Sequence, residues 1–238
     1  MLEEAVILAS GFGTRLRSLS DRPKFAFPLF GRPLIHYPIL SLRSAGVKKF
    51  YVIVAKGYAG LAFKLLNDFN VLVLENEKPE RENGYTLFYA RNVLKNGPFF
   101  VSVCDHIYPT GISMRLKEAY SGEDILIAGD RSPRHVELNE ATKIKVNDRV
   151  RVSKRLKKFD YVDTGLFIFS SNIFSFGYER EKRLTLNRLI TLSSGKGYKV
   201  NVVDVTGIPW KDVDTPDDVN YLATERGSEV LETWRSSL

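Results

Sequence analysis

A chain of 238 residues, 44% of them hydrophobic, is long enough to bury one sizeable core and gives no reason for several, so one domain over residues 1–238 is expected. Its 35 Lys and Arg against 28 Asp and Glu leave a net charge of +7, which calls for a polyanionic partner: nucleic acid or small phosphorylated molecules. No apolar stretch approaches the roughly 18–20 residues of a membrane helix, no signal peptide is expected ahead of the first apolar run, and the lone Cys104 excludes an intrachain disulfide and suits a reducing cytoplasm.

The first element is the apolar run Ala5-Val6-Ile7-Leu8-Ala9, which reads as a buried parallel strand over 5–9. It enters a glycine-rich turn, Ser10-Gly11-Phe12-Gly13-Thr14-Arg15, with Pro23-Lys24 downstream. Gly11 and Gly13 are expected to adopt dihedrals that a side chain forbids and to let the backbone approach an anion. Unpaired amides in such a turn form a concave anion site. Arg15 and Lys24 add positive charge, and the hydroxyls of Ser10 and Thr14 hold the loop or touch a phosphate. The third glycine of a dinucleotide fingerprint and the Gly-Lys-Ser/Thr of a P-loop are both missing, so the turn reads as a triphosphate-gripping loop of another kind.

Helical patterns over 33–45, 58–68, 85–94 and 112–120 then alternate with strands over 49–55, 71–74, 98–104 and 124–129. Strand and helix alternating in this way predict an α/β, Rossmann-like, mostly parallel sheet with helices on both faces. Ligands in such sheets bind beyond the carboxyl ends of strands where strand order reverses, and both the glycine loop and Cys104-Asp105-His106 fall on that edge. Cys104 itself reads as a buried small apolar residue.

After residue 130 the pattern turns β-rich. A hairpin is expected over 141–146 and 150–154 around Asn147-Asp148, followed by a strand over 163–169, helices over 172–176 and 184–193, a strand over 200–205 and a last helix opening at 217–225. Residues 1–130 therefore read as a nucleotide-binding half, and 131–238 as an acceptor half with a small β-rich lid.

The chemistry needs carboxylates. Magnesium is held by one or two of them together with substrate phosphates and water. Asp105 closes an apolar strand and is expected to point into the cleft; Trp210-Lys211-Asp212-Val213-Asp214 offers a second acid, Asp212 or Asp214. The following Thr215-Pro216-Asp217-Asp218 reads as a helix start, with Thr215 as N-cap and acids in the first turn.

The glycine loop with Thr14-Arg15 and Pro23-Lys24 resembles the signature of nucleotidyltransferases that join a nucleoside triphosphate to a sugar or alcohol phosphate. The resemblance implies that Arg15 neutralises the β- and γ-phosphates, that Lys24 supports the α-phosphate, and that Asp105 and Asp214 ligate Mg²⁺, with Asp212 as the alternative. Three further strings, Glu82-Asn83-Gly84-Tyr85-Thr86-Leu87, Asp105-His106-Ile107-Tyr108, and Ala141-Thr142-Lys143 with Val162-Asp163-Thr164-Gly165, resemble the inositol-1-phosphate cytidylyltransferases. That resemblance runs over nearly the whole chain. It implies transfer from CTP to inositol 1-phosphate for di-inositol phosphate synthesis, nucleotide contacts at Ala9, Ser10, Gly11, Asn83 and Thr86, and an acceptor-phosphate lysine at Lys154, with Lys157 and Lys158 as substitutes. Asp163 binds inositol hydroxyls or structures the strand start, Asn83 reads a pyrimidine edge or makes a turn with Gly84, and His106 reads as packed or hydrogen-bonded rather than as a general base. Some family members are fused to a membrane domain; no apolar extension follows here, so the step consuming CDP-inositol is expected in a separate protein.

Other readings compete. A choline acceptor calls for an aromatic cage, to which Tyr85, Tyr161 and Tyr178 are the candidates; a hexose-1-phosphate nucleotidyltransferase or a non-catalytic binding module are the others. The basic run 149–158 and the cluster 179–183 carry no nucleic-acid motif, and the second, interleaved with acids, reads as a solvated face, so no nucleic-acid partner is expected. Oligomeric state is left open, a homodimer included. The absence of glutamine and the abundant charge fit a protein made for high temperature.

Overall fold

The computed structural model describes residues 2–238. In chain order the elements are β1 (Glu4–Ala9), the short β2 (Pro28–Leu29) and β3 (Arg32–Pro33), α1 (His36–Ser44), β4 (Lys49–Ala55), α2 (Ala59–Leu65), β5 (Val71–Asn76), α3 (Asn83–Thr86) and β6 (Pro98–Val103). There follow β7 (His106–Ile107), α4 (Thr110–Ala119), β8 (Ile125–Asp130), β9 (Lys143–Val146), β10 (Val150–Ser153) and β11 (Tyr161–Ser170). The chain closes with α5 (Leu186–Gly195), β12 (Val200–Asp204), β13 (Lys211–Asp212), α6 (Pro216–Leu222) and α7 (Glu225–Ser236).

Nine strands form one sheet in the order β10-β9-β11-β6-β1-β4-β5, with β8 and β12 branching from β11. Its centre is the parallel set β6, β1, β4 and β5. Successive residues of a strand face opposite sides, and here both sides are apolar, as expected of a parallel sheet covered twice. Ala5, Ile7, Phe50, Val52 and Val54 pack with Ile39 and Leu42 of α1 and Ile112 and Leu116 of α4. Val6, Leu8, Tyr51, Ile53 and Val101 face the other way, onto Leu87, Ala90 and the α5 residues Leu189 and Ile190. A third cluster joins Leu34 and Tyr37 to Leu231 and Trp234 of α7.

The chain leaves β1 for β4 and β5, then returns to place β6 on the opposite side of β1. The sheet's switch point therefore lies between β1 and β6, and the segments following both open on it. The β-rich second half is hydrogen-bonded into the same sheet. The second half of β11 pairs antiparallel with β6, Leu166 opposite Ser102, so its first half projects past the carboxyl end of β6 and carries the hairpin β9–β10 there. A register shift between Asp163 and Phe167 marks a bulge where the strand passes the cleft.

Two expectations change. The helix expected over 85–94 is one turn, α3, continued as a 3-10 turn over Leu87–Ala90. It begins at Asn83, and its second residue is glycine because a Cβ at Gly84 would stand 2.6 Å from the Thr185 backbone. The last helix is two: α6 ends at Leu222, and Thr224 caps α7 by accepting from the Gly227 N–H. The expected capping of α6 is present in full, with Thr215 and Asp218 bonding reciprocally and Pro216 at the first position.

Candidate active site

The glycine loop turns because Gly13 sits at φ +58°, and it tolerates only glycine because a Cβ there would lie 2.5 Å from the Lys24 Cβ. Gly11 differs from expectation: its φ is not positive and no atom stands within 4 Å of where its Cβ would be. It is a small residue on the cleft wall, and the strain rests at Gly13 alone. The Ser10 hydroxyl joins a buried network with Thr86 Oγ1 (2.8 Å), which also accepts from Asn76 Nδ2 (3.0 Å). Ser10 thus holds the loop, and Thr86, fully buried, lies behind it; Ala9 is likewise buried at the end of β1.

Pro23, extended, leads into a 3-10 turn at Lys24–Ala26 that buries the Lys24 side chain. Its ammonium reaches the carboxylates of both Asp105 and Asp214. Burial would lower the Lys24 pKa, but the two acids outweigh it and raise the value well above that of a free lysine. Burial likewise pushes the Asp105 carboxyl up, and the Lys24 charge with the His106 hydrogen bond overturns this, holding Asp105 ionised far below the usual carboxylate range. Arg15, half exposed, bonds Asp214 Oδ2 at 2.5 Å and Glu140 Oε2 at 2.8 Å. Asp212, by contrast, lies against Lys211 at 3.7 Å and has no contact with Lys24. It is Asp214 that the fold brings to Asp105.

Two cavities meet at this junction, and a third adjoins them at Asn83. One of about 240 Å³ is lined by Gly11, Gly13, Thr14, Arg15, Lys24, Asp105 and Asp214. A second, of about 260 Å³, includes Asp105, His106, Glu140, Lys154, Asp163 and Asp214. A wider cleft of about 1130 Å³ runs from Ser10, Gly11 and Asn83 to Lys78, Arg180, Lys182 and Arg183. The cluster at 179–183, read from sequence as a solvated face, thus lines the cleft through Arg180, Lys182 and Arg183. It is stitched there by main-chain bonds, Leu184 N–H to Arg81 O and Tyr85 N–H to Leu184 O, both 2.9 Å. Asn83 Oδ1 accepts from the Leu186 N–H at 2.9 Å, so its carboxamide oxygen anchors α5 while the residue lines the cleft.

Lys154 is exposed on the wall of the second cavity, and its carbonyl is braced by Lys143 Nζ at 3.1 Å. Asp163 accepts from the Gly165 N–H at 2.8 Å. Burial dominates its titration and, against the Gly165 hydrogen bond and the His106 charge, pushes its pKa up to about 6. The tyrosines proposed for a choline cage are taken: Arg81 covers Tyr85 at 3.5 Å, Arg131 covers Tyr161 at 4.2 Å, and Lys196 covers Tyr178 at 4.4 Å. Glu140 and Arg183 were not foreseen. Arg15 and Glu140 are 125 residues apart, and no local pattern signals such a pair.

Two carboxylates in contact with one ammonium are placed to share a single cation. With phosphate oxygens and water completing the sphere, this suits a magnesium-type ion. Among the described residues no group of three or more His, Cys, Asp or Glu converges on a metal position, so an all-protein cage is absent.

A glycine loop that stops at a carboxylate pair, with a second cavity opening beyond that pair, leaves room for two phosphate esters end to end, which is what a nucleotidyltransferase needs. The chain belongs to the MobA-like NTP transferase family, whose domain model matches residues 5–160. It is 38% identical over 227 residues to a protein of Aquifex aeolicus named bifunctional IPC transferase and DIPP synthase, covering 92% of this chain and 50% of that protein. A protein of the same name from Thermococcus kodakarensis is 34% identical over 225 residues, with 91% and 49% covered. The chain thus spans about half the length of these curated relatives. Among solved structures it is similar to the inositol-1-phosphate CTP transferase from T. maritima, with a TM-score of 0.88, 31% identity and 97% of each chain covered. Among the described residues no helix is long and apolar enough to cross a membrane.

Proposed function

We propose that this chain transfers the cytidylyl group of CTP to inositol 1-phosphate, giving CDP-inositol and pyrophosphate. The observation that carries the reading is the junction itself: Asp105 and Asp214 line both the glycine-loop cavity and the cavity of Lys154 and Asp163. The similarity over full length to the T. maritima enzyme supports the cytidylyl donor and the inositol acceptor. The product is the activated alcohol that a DIPP synthase, the second activity in the relatives' name, would consume.

The acceptor is a phosphate monoester, so it needs no strong base; the work is to bring two anions together and to stabilise charge at the transferred phosphorus. An oxygen of the acceptor phosphate attacks the α-phosphorus of CTP, the new P–O bond forms, and the bond to the β-phosphate oxygen breaks to release pyrophosphate. The Gly11–Thr14 amides cradle the triphosphate. Arg15 leaves Glu140 for the departing pyrophosphate, Lys24 moves from the carboxylates to the α-phosphate, and Lys154 steadies the attacking phosphate. Asp105 and Asp214 would hold Mg²⁺, which supplies Lewis-acid neutralisation of the reacting phosphates. Pyrophosphate release measured for CTP, UTP, dTTP and GTP against inositol 1-phosphate, choline phosphate and hexose 1-phosphates tests the reading. CTP with inositol 1-phosphate is expected to exceed every other pair by at least about tenfold, the discrimination of one good contact, and any other pair ahead of it overturns the assignment.

Asp163 adds a pH signature. Its folded pKa, about 6, lies above the ordinary value, so the ionised form that accepts acceptor hydroxyls is lost as pH falls through 6. The acceptor KM of the wild type is expected to rise below pH 6 while the KM for CTP stays flat. In Asp163→Asn the acceptor KM is expected to be high and to keep only the slope set by the acceptor phosphate's own ionisation at about pH 6; a profile identical to wild type would remove Asp163 from the acceptor site.

A further inference from the structure

His106 is held more tightly than a packing role requires. Its ring stacks on Trp210 with centroids 5.8 Å apart and planes 7° from parallel. Trp210 is itself fixed by its indole N–H, which donates to the buried Asp130 at 2.9 Å. On another side stands Gly165, at φ +75°, where a Cβ would fall 2.7 Å from His106 Cδ2. The bulge of β11 therefore has two grounds for glycine, the backbone angle and the ring. His106 and Asp212 are backbone partners in the β7–β13 pair, so the ring is tied to the segment that delivers Asp214. Everything around the imidazole fixes where its Nδ1 points, and that is Asp105 Oδ1, 2.8 Å away.

The two oxygens of Asp105 are thereby given separate tasks. Oδ1 is engaged by His106, and Oδ2 faces Lys24 at the centre of the junction. An ionised carboxylate only accepts, so the ring must donate from Nδ1.

We propose that His106 is a positioning residue that makes Asp105 a one-oxygen metal ligand, and so selects a small octahedral divalent ion over a large one. This rests on the reading of Asp105 and Asp214 as the metal ligands. Calcium takes six to eight oxygens and readily uses both oxygens of a carboxylate, whereas magnesium takes single oxygens in an octahedron and keeps its waters. A carboxylate with one oxygen locked by a fixed N–H cannot turn to chelate. Releasing that oxygen should help calcium, and loosening the carboxylate should hurt magnesium. Groups that orient a ligand in this way commonly change metal affinity by about 10- to 100-fold when removed.

The test uses the protein saturated with a CTP analogue whose α–β bridge cannot be cleaved, which draws Lys24 off the carboxylates and supplies the phosphate oxygens of the metal sphere. Bound Mn²⁺ is counted by electron paramagnetic resonance, then displaced with Mg²⁺ or Ca²⁺, in the wild type, His106→Phe and His106→Asn, each first checked for a native melt and circular dichroism spectrum. Phenylalanine keeps the stack on Trp210 and loses the donor; asparagine places an amide N–H near the Nδ1 position. Wild type is expected to release Mn²⁺ to Mg²⁺ at a concentration at least about fivefold below that of Ca²⁺, His106→Phe to bind Mn²⁺ about tenfold more weakly with that preference erased, and His106→Asn to restore both. A folded His106→Phe with wild-type Mn²⁺ affinity and preference overturns the proposal, as does a wild type without preference. Failure of the wild type to bind Mn²⁺ would overturn the underlying assignment of Asp105 and Asp214 as well. Transfer from CTP to inositol 1-phosphate by the wild type is scored separately, so a failed selectivity can be told from a failed function.

Discussion

Lys24→Ala is expected to lose both activity and, in the absence of divalent cation, much of its stability. The buried ammonium is the shared counter-charge of Asp105 and Asp214. Its removal leaves two carboxylates facing each other in a partly desolvated site, and breaking such a buried pair costs about 3–5 kcal/mol. For a chain of this size that is a fall in Tm of roughly 6–20 °C. The sign with pH follows from the shifts. In the wild type Asp105 titrates below its unfolded value, so the cluster's stabilisation is complete above the ordinary carboxylate range and is lost only in strong acid. In the variant the like charges push one carboxyl pKa up, so its stability improves as pH falls, and the two melting curves converge below about pH 4. Millimolar Mg²⁺, replacing the missing cation, is expected to recover part of the lost Tm. The rate does not recover with it: a lost charge-assisted contact at the transition state costs roughly 100- to 1,000-fold. Thermal melts with and without Mg²⁺, beside steady-state pyrophosphate release, check both halves. A variant melting within 2 °C of wild type and turning over within tenfold of it would mean that Lys24 is not the hub described.

The pair Gly13→Ala and Gly11→Ala separates the two glycines. At Gly13 an alanine must adopt φ +58° and meet the Lys24 Cβ at 2.5 Å. The left-handed backbone costs about 1–2 kcal/mol and the overpacking about 1–3 kcal/mol, so a loss of about 2–5 kcal/mol is expected. Because Lys24 is what yields, the ammonium shifts within the junction, and misplacement of a reacting contact by an ångström costs on the order of 100-fold in rate. At Gly11 nothing meets the new methyl, and stability should stay within about 0.5 kcal/mol of wild type. The methyl instead projects from a residue lining the nucleotide cavities, so Gly11→Ala is expected to raise the KM for CTP with little change in acceptor KM. Equal melting temperatures for the two variants would contradict the geometry.

The parts of this fold that were legible are those where local chemistry and global structure agree. The run Ala5–Ala9 could only be buried on both sides, and β1 is. Thr215-Pro216-Asp217-Asp218 announces a helix start through hydrogen bonds that close within four residues, and α6 starts there. The helical pattern over 85–94 folds as one α turn and a 3-10 turn over 83–90, and the close approach of Thr185 to Gly84 within it joins residues about a hundred apart, which no local pattern signals. The cluster at Arg180, Lys182 and Arg183 is solvated as expected, but its place on the cleft comes from main-chain bonds to Arg81 and Tyr85 that no local pattern signals.

Residue types and spacings by themselves determined the parallel sheet, the glycine loop at its switch point and the supply of lysine, arginine and aspartate around it, because periodicity, turn glycines and charge act over a few residues. Only the tertiary structure decided which groups meet. Asp214 rather than Asp212 comes to Asp105, Gly13 rather than Gly11 carries the strain, Glu140 closes on Arg15, and His106 is wedged between Trp210 and Gly165. Those pairings depend on how β11 and β13 cross the carboxyl edge of β6, and at Lys24 and Asp105 the opposite charges brought together there outweigh burial.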